Sequence, residues 1–187
     1  MTGPLFFGYG SLVNLATHDY HDPRPATLRG WRRVWRHTSL RDVAFLSVEP
    51  HAETVIDGIV ARVPGADWAA LDAREHAYVR RDVSHAVSHD APPAPVAVYE
   101  VAEGNIAPPS ASGPLILSYI DTVVQGFLQV HGEAGAVRFF ATTAGWDAPV
   151  IDDRAAPRYP RHRRLGSAER DLVDHHLSML GCAVVRA

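Results

Sequence analysis

The run from Pro4 to Tyr9 is short and apolar and ends in Gly8-Tyr9-Gly10-Ser11, the pattern of a buried strand entering a glycine-rich turn. Polar residues from Asn14 to Pro25 read as loop. Extended stretches follow over Ala26–Thr38, Val43–Glu49 and Thr54–Val63. The last carries Ile56, Ile59, Val60 and Val63 toward a core before Pro64-Gly65 stops it. The period then changes. Trp68, Leu71, Glu75 and Tyr78 recur at spacings of three and four, which predicts a short helix over Ala66–Tyr78 with Asp67 as its N-cap. Val79–Val87 and Val96–Val101 alternate and read as strands, joined by the stiff Ala91-Pro92-Pro93-Ala94-Pro95. Beyond Gly104–Gly113, Leu115–Val130 predicts one long helix. Ala148–Leu165 reads as an irregular Pro- and Arg-rich arm, and Ser167–Leu180 as a terminal helix capped by Ser167, without the acid that a capping box would need.

This layout puts a β-rich body in residues 1–103 and a helical part, with its arm at 148–165, in residues 114–187. The expectation is an α+β fold in a single domain, since 187 residues bury one good core but hardly two.

Composition narrows the function classes. The 18 basic and 21 acidic residues give a net charge of −3, which offers no footprint for nucleic acid or a membrane. Every basic residue is Arg, a bias that fits a GC-rich bacterial genome and excludes a Schiff-base lysine. Cys182 is the only cysteine, so no intramolecular disulfide forms and a reducing cytosol fits best. Leu5-Phe6-Phe7 is too short to target or span anything, and the expected location is cytoplasmic. No metal site is expected: His18 and His21 fall in a loop, and His175 and His176 face different ways on a helix.

Two segments carry candidate chemistry. Gly8 and Gly10 permit backbone angles closed to other residues, so successive N–H groups of Tyr9-Gly10-Ser11-Leu12 can turn toward one anion, a carboxylate above all. The alternative is a tight turn without a ligand. Glu75 stands where the helical face calls for an apolar side chain, and a buried carboxylate rises toward the range of a general base. The alternative there is a salt bridge to Arg74, Arg80 or Arg81.

The two segments together resemble the γ-glutamylcyclotransferase superfamily, with its glutathione-specific ChaC-like and plant avirulence-induced-gene-like branches. The resemblance rests on Phe7-Gly8-Tyr9-Gly10-Ser11-Leu12, Gly30-Trp31, Asp57-Gly58-Ile59-Val60, Leu71-Asp72 with Glu75, Tyr78 with Arg80, and Tyr99. The glycine string and the Arg74-Glu75 pair look closer to the ChaC-like branch, and Tyr78 with Arg80 closer to the other.

The resemblance implies a mixed β-barrel with flanking helices. It implies that the backbone of Tyr9 to Leu12 holds the α-carboxylate of a γ-glutamyl group while Glu75 takes a proton from its α-amine. That amine then closes 5-oxoproline and expels the attached amine or amino acid, with no metal, nucleotide or other cofactor. Tyr78, Tyr9 and Ser11 are candidates to steady the oxyanion. The rival readings are a non-catalytic module that binds a small carboxylate or a partner, and an amide hydrolase in which Glu75 activates water.

Two features stay open. The arm is a solvated or intramolecularly paired surface segment, or a flap that brings Arg154, Tyr159 or Arg161 to a second substrate carboxylate; nucleic-acid binding is the least favoured reading, since one short Arg cluster on an acidic protein is a poor footprint. The apolar stripe Ile116, Tyr119, Ile120, Val123, Val124, Phe127 and Leu128 packs a core or a dimer face, so both monomer and homodimer are open.

Overall fold

All four residues of β1 (Leu5–Gly8) are buried, because this strand is internal to the main sheet. It pairs antiparallel with β3 (Arg41–Arg62) and parallel with β6 (Val96–Val101). The structure, a computed structural model, describes residues 3–108 and 113–186. The sheet also contains β2 (Arg24–Thr38), β4 (Tyr78–Asp82) and β5 (Val87–His89). Its order is β4-β6-β1-β3-β2-β5, with β8 (Thr143–Ala144) beside β2. A second sheet joins β7 (Leu115–Ile116), β9 (Val150–Asp152) and β10 (Val184–Arg186).

The β2–β3 hairpin bends halfway. Arg29 faces Val55 but Trp31 faces Pro50, so His51 to Thr54 oppose Gly30 alone. Gly30 has φ +79°, a left-handed angle that glycine takes without strain. The bend folds the first half of β3 over toward β6, where the Val101 N–H donates to Ser47 Oγ at 2.9 Å. No closed barrel forms among the described strands. Side chains bridge the β3–β6 seam where a continuous ladder would run.

Several elements differ from the sequence reading. The helix α1 covers only Ala69–Arg74, and Glu75 is its C-cap. Tyr78 already lies in β4, since a turn and a strand start reproduced the helical spacing by coincidence. Asp67 still serves the helix start, accepting from the Ala69 N–H at 2.8 Å. The expected Val79–Val87 strand is divided: β4 pairs with β6, whereas β5 pairs with β2. Leu115 and Ile116 form β7, and the helix α2 runs from Leu117 to Ala141 with a break at Gly132. Its Ile120, Val123, Val124 and Phe127 are fully buried within the chain, so the middle of that stripe packs the core. The helix α3 (Ser167–Met179) has Gly166 as its N-cap, one residue earlier than read. From that position Glu169 does reach back, accepting from the Gly166 N–H at 2.7 Å.

One buried cation joins these parts. Arg33 on β2 is 0% exposed. Its Nε donates to the Tyr9 carbonyl at 2.8 Å, Nη1 to Thr142 Oγ1 at 2.9 Å, and Nη2 to the Asp57 carbonyl. The guanidinium lies 4.8 Å from the Phe127 ring centroid and 5.3 Å from that of Phe139, so aromatic faces supply what solvent cannot. Burial pulls it down to about 9, which leaves it charged at neutral pH.

The arm is held at its root by Asp153, 1% exposed. Its carboxylate accepts from the Ser118 N–H at 2.7 Å, Ser118 Oγ at 2.6 Å and the Arg158 N–H at 2.8 Å. It therefore caps the first turn of α2 from a distant part of the chain, where the helix dipole favours negative charge. The Arg163 N–H donates to Thr122 Oγ1 at 3.0 Å and fixes the far end.

Two outcomes are expected. Arg33→Met takes the donor from the buried Tyr9 carbonyl and from the part-buried Thr142 hydroxyl and Asp57 carbonyl, and should lower unfolding free energy by at least about 2 kcal/mol in urea denaturation. Asp153→Ala should release the arm, so that trypsin cleaves after Arg158, Arg161 and Arg163 much faster than in the wild type, read by mass spectrometry.

Candidate active site

Tyr9-Gly10-Ser11-Leu12 leaves the end of β1 and enters a short 3-10 turn over Ser11–Val13. Its carbonyls are all engaged. That of Tyr9 accepts from Arg33, that of Gly10 from the Val13 N–H at 2.9 Å, and that of Ser11 from Thr17 Oγ1 at 2.9 Å. The Leu12 carbonyl meets His18 Nε2 at 2.8 Å. Within a planar trans peptide the N–H points opposite to the C=O. The N–H groups of Gly10, Ser11 and Leu12 are thus turned away from those partners. Neither Gly8 nor Gly10 has a positive φ, and Gly10 stands at φ −124° and ψ −127°. Gly10 is needed for room: a Cβ there would lie 2.7 Å from Tyr119 Oη and 3.2 Å from Leu46 Cδ2.

The turn rests on α2. Asn14, fully buried, donates from Nδ2 to the Thr122 carbonyl at 2.9 Å and to Gln125 Oε1 at 3.1 Å. Its backbone packs where a Cβ at Gly126 would come within 2.5 Å of the Asn14 nitrogen.

Glu75 meets the turn from the other side. An inner cavity of about 40 Å³ has walls from Gly8 through Leu12, Leu46, Glu75 and the rings of Tyr78, Tyr99 and Tyr119. The sequence-predicted Tyr9, Gly10, Ser11, Leu12, Glu75 and Tyr78 therefore share one chamber. Three of its four phenols have their protons on fixed acceptors: Tyr9 on the Tyr99 carbonyl at 2.7 Å, Tyr78 on that of Leu46 at 2.9 Å, and Tyr99 on Asp72 Oδ1 at 2.5 Å. The Tyr119 hydroxyl lies against Ser11. Burial raises all four phenols, so they stay neutral.

Both alternatives posed for Glu75 hold at once. Its side chain is 18% exposed within the cavity, and Arg74 Nε pairs with Oε1 at 3.1 Å. Arg80 and Arg81 go elsewhere, to Asp72 and Glu100. Burial pushes the Glu75 carboxyl up, while Arg74, Arg161 and His76 pull it down; burial wins.

A second cavity of about 180 Å³ continues outward, sharing Ser11, Glu75, Tyr78 and Tyr119 with the first. Tyr159 and Arg161 of the arm reach it, joined by Arg74 and by Arg41 and His76, the last two not singled out by sequence reasoning. Arg154 does not reach it. Its Nε and Nη2 bond Asp121 of α2 at 2.7 and 2.8 Å, and Nη1 bonds Asp174 of α3 at 2.8 Å, so its charge is neutralised by the two helices. Tyr119 and Leu46 were also missed, Tyr119 having been read as part of the core stripe. Among the described residues, no three His, Cys, Asp or Glu side chains gather where they could hold a metal ion.

The fold is that of the γ-glutamylcyclotransferase-like proteins. It is similar to a solved γ-glutamyl cyclotransferase, with TM-score 0.56 and 13% identity over 91% of this chain and 98% of that one. It is likewise similar to the uncharacterized protein loc79017 from Homo sapiens, with TM-score 0.55 and 14% identity over 91% and 97%. YkqA from Bacillus subtilis gives TM-score 0.54 and 18% identity over 78% of this chain, which spans only 57% of that protein. At these identities the likeness shows the fold alone. Among curated protein sequences, none matches the chain significantly. The chain belongs to the γ-glutamyl cyclotransferase, AIG2-like family, whose profile matches residues 6–118.

The state of Glu75 has a measurable consequence for stability. A carboxyl raised by folding stabilises the native state below its unfolded pKa and loses that contribution as pH rises through its folded value. Glu75→Gln should therefore raise the melting temperature relative to wild type at pH 8, with the gap closing near pH 4. A variant that melts lower at pH 8 would show that the Arg74 pair outweighs burial.

Proposed function

We propose that the chain cyclises the γ-glutamyl group of a small amide or peptide to 5-oxoproline and releases the attached amine or amino acid. The observation that carries this is the meeting, in one inner cavity, of a raised carboxylate with the turn whose Gly10 N–H faces away from Arg33. In this reading the N–H groups of Gly10, Ser11 and Leu12 hold the substrate α-carboxylate. Glu75 takes a proton from the neutral form of the substrate α-amine. The freed nitrogen attacks the γ-carbonyl carbon, the amide C–N bond breaks, and Glu75 returns the proton to the departing nitrogen. Water takes no part, and no external oxidant or cofactor enters the balance.

Nucleophile and electrophile belong to one chain, and such pre-oriented attack is worth about 7–11 kcal/mol. The protein then has to bend the chain and relay a proton, a task worth about 10²–10⁴-fold. The phenols of Tyr9 and Tyr78 already donate to main-chain carbonyls, so Tyr119 and Ser11 are the better placed to steady the oxyanion. No helix among the described residues is long and apolar enough to cross a membrane, and the lone Cys182 suits a reducing compartment.

Incubation with γ-glutamyl dipeptides, γ-glutamylamines and glutathione should release 5-oxoproline, detected by mass spectrometry. Free glutamate instead would mean that Glu75 activates water, and intact substrates would sink both readings. Glu75→Gln should lose at least about 100-fold in turnover. For wild type, kcat/KM should fall on acidification through a pKa above the ordinary carboxylate range. Arg74→Gln removes an opposing charge, raises that pKa further and should move the acidic limb to higher pH.

A further inference from the structure

The outer cavity has an unusual charge balance for the mouth of a site holding a carboxylate. Arg41, Arg74, His76 and Arg161 line it against Glu75 alone. Arg74 is occupied by Glu75. Arg41 and Arg161 form no ion pair or hydrogen bond among the described residues, although each belongs to a part of the wall held in place. The Phe45 ring lies 5.9 Å from the Arg41 guanidinium. Arg161 follows Tyr159, whose N–H donates to Ser118 Oγ at 3.2 Å. Two exposed guanidinium groups without a partner among the described residues, both lining one cavity, suit a carboxylate.

An apolar recess of about 100 Å³ adjoins this mouth, walled by Val43, Phe45, Leu46, Ile116, Tyr119 and Tyr159, with Arg41 at its rim. The Tyr119 and Tyr159 rings meet edge to face with centroids 5.0 Å apart, a wall suited to an aromatic or branched aliphatic side chain. Covalent geometry then limits what can depart. The departing nitrogen must sit at Glu75. In an α-amino acid the carboxylate and the side chain both branch from the next carbon, so they fall into adjacent spaces just outside Glu75. Those spaces are the Arg41–Arg161 mouth and the Phe45–Tyr119–Tyr159 recess. Tyr119, Tyr159 and Arg161 also lie beyond the residues 6–118 that match the family profile, so this half of the wall belongs to the chain's own C-terminal part.

Resting on the cyclotransferase reading above, we propose that the chain selects γ-glutamyl dipeptides whose second residue has a free α-carboxylate and a bulky apolar side chain. Arg41 and Arg161 hold the carboxylate and the aromatic recess holds the side chain.

The test compares kcat/KM for 5-oxoproline release from γ-glutamyl-phenylalanine, γ-glutamyl-glycine and γ-glutamyl-phenethylamine, the last keeping the ring without the carboxylate. Losing the carboxylate should cost about 10–100-fold, and losing the ring about tenfold. Arg161→Gln and Arg41→Gln should each shrink the ratio of phenylalanine to phenethylamine substrate toward one, with Arg161→Lys restoring part of it. Because both substrates meet the same Glu75, this ratio cancels any change in its pKa. A wild-type ratio near one, or a ratio that neither variant alters, overturns the carboxylate clamp. Equal rates on the glycine and phenylalanine substrates overturn the recess. Calorimetric binding to the Glu75→Gln protein separates the two levels. Tighter binding of γ-glutamyl-phenylalanine than of the phenethylamine compound supports the clamp even if no turnover is found, and equal binding overturns it. Absence of 5-oxoproline from all three overturns the cyclotransferase reading.

Discussion

A full positive charge sits where water does not reach, and most of the site's geometry can be traced to how it is satisfied. Arg33 draws the Tyr9 carbonyl, the Asp57 carbonyl and the Thr142 hydroxyl toward one point, between the faces of Phe127 and Phe139. Each of those partners comes from a different part of the fold: the end of β1, the middle of β3 and the C-terminal cap of α2. An unpaired buried guanidinium would be very costly, so the three parts have little freedom to move separately. Asp57 strengthens the same junction by accepting from Arg138 Nε at 2.7 Å, and His131 Nε2 meets the Gly58 carbonyl at 2.8 Å. The orientation of the first peptide in the turn, and with it the direction of the Gly10 N–H, follows from this junction.

Glu75 is governed by a balance rather than by one contact. Burial alone would leave it protonated and unable to accept a proton; a fully exposed Arg74 pair would leave it too weak a base. At the C-cap of a six-residue helix the side chain is placed by the turn into β4, and Tyr78 on that strand is anchored to Leu46 across the seam. The bend at Gly30 brings Leu46 there. Thus a glycine on the far side of the sheet helps to set where the carboxylate stands.

Much of this was legible along the chain. The Gly8–Leu12 turn and Glu75 stand out locally, one by its glycines and the other as a carboxylate on an apolar face, and the α+β class follows from the change of period. What was missed depends on tertiary placement. Periodicity reports that Tyr119 is turned inward but not that its hydroxyl ends beside Ser11. Arg41 follows a hairpin turn with no local signal, and it becomes a wall residue only because β3 folds over. Arg154 failed as a site residue for the converse reason: the sequence shows its charge, while its partners Asp121 and Asp174 are 33 and 20 positions away. The helix over Ala66–Tyr78 overran because Glu75 and Tyr78 keep helical spacing after the helix has ended.

The turn's polar contacts are main-chain groups, whereas Arg41, Tyr159 and Arg161 project from the chain as side chains. A point substitution can replace a guanidinium or a ring, but it cannot delete a peptide N–H except by proline. One end of the chamber is therefore a property of the fold itself, inherited wherever β1, Arg33 and α2 are kept. The other end is open to revision one residue at a time, so changes of preferred ligand should arise at the outer wall while the inner chamber stays as it is.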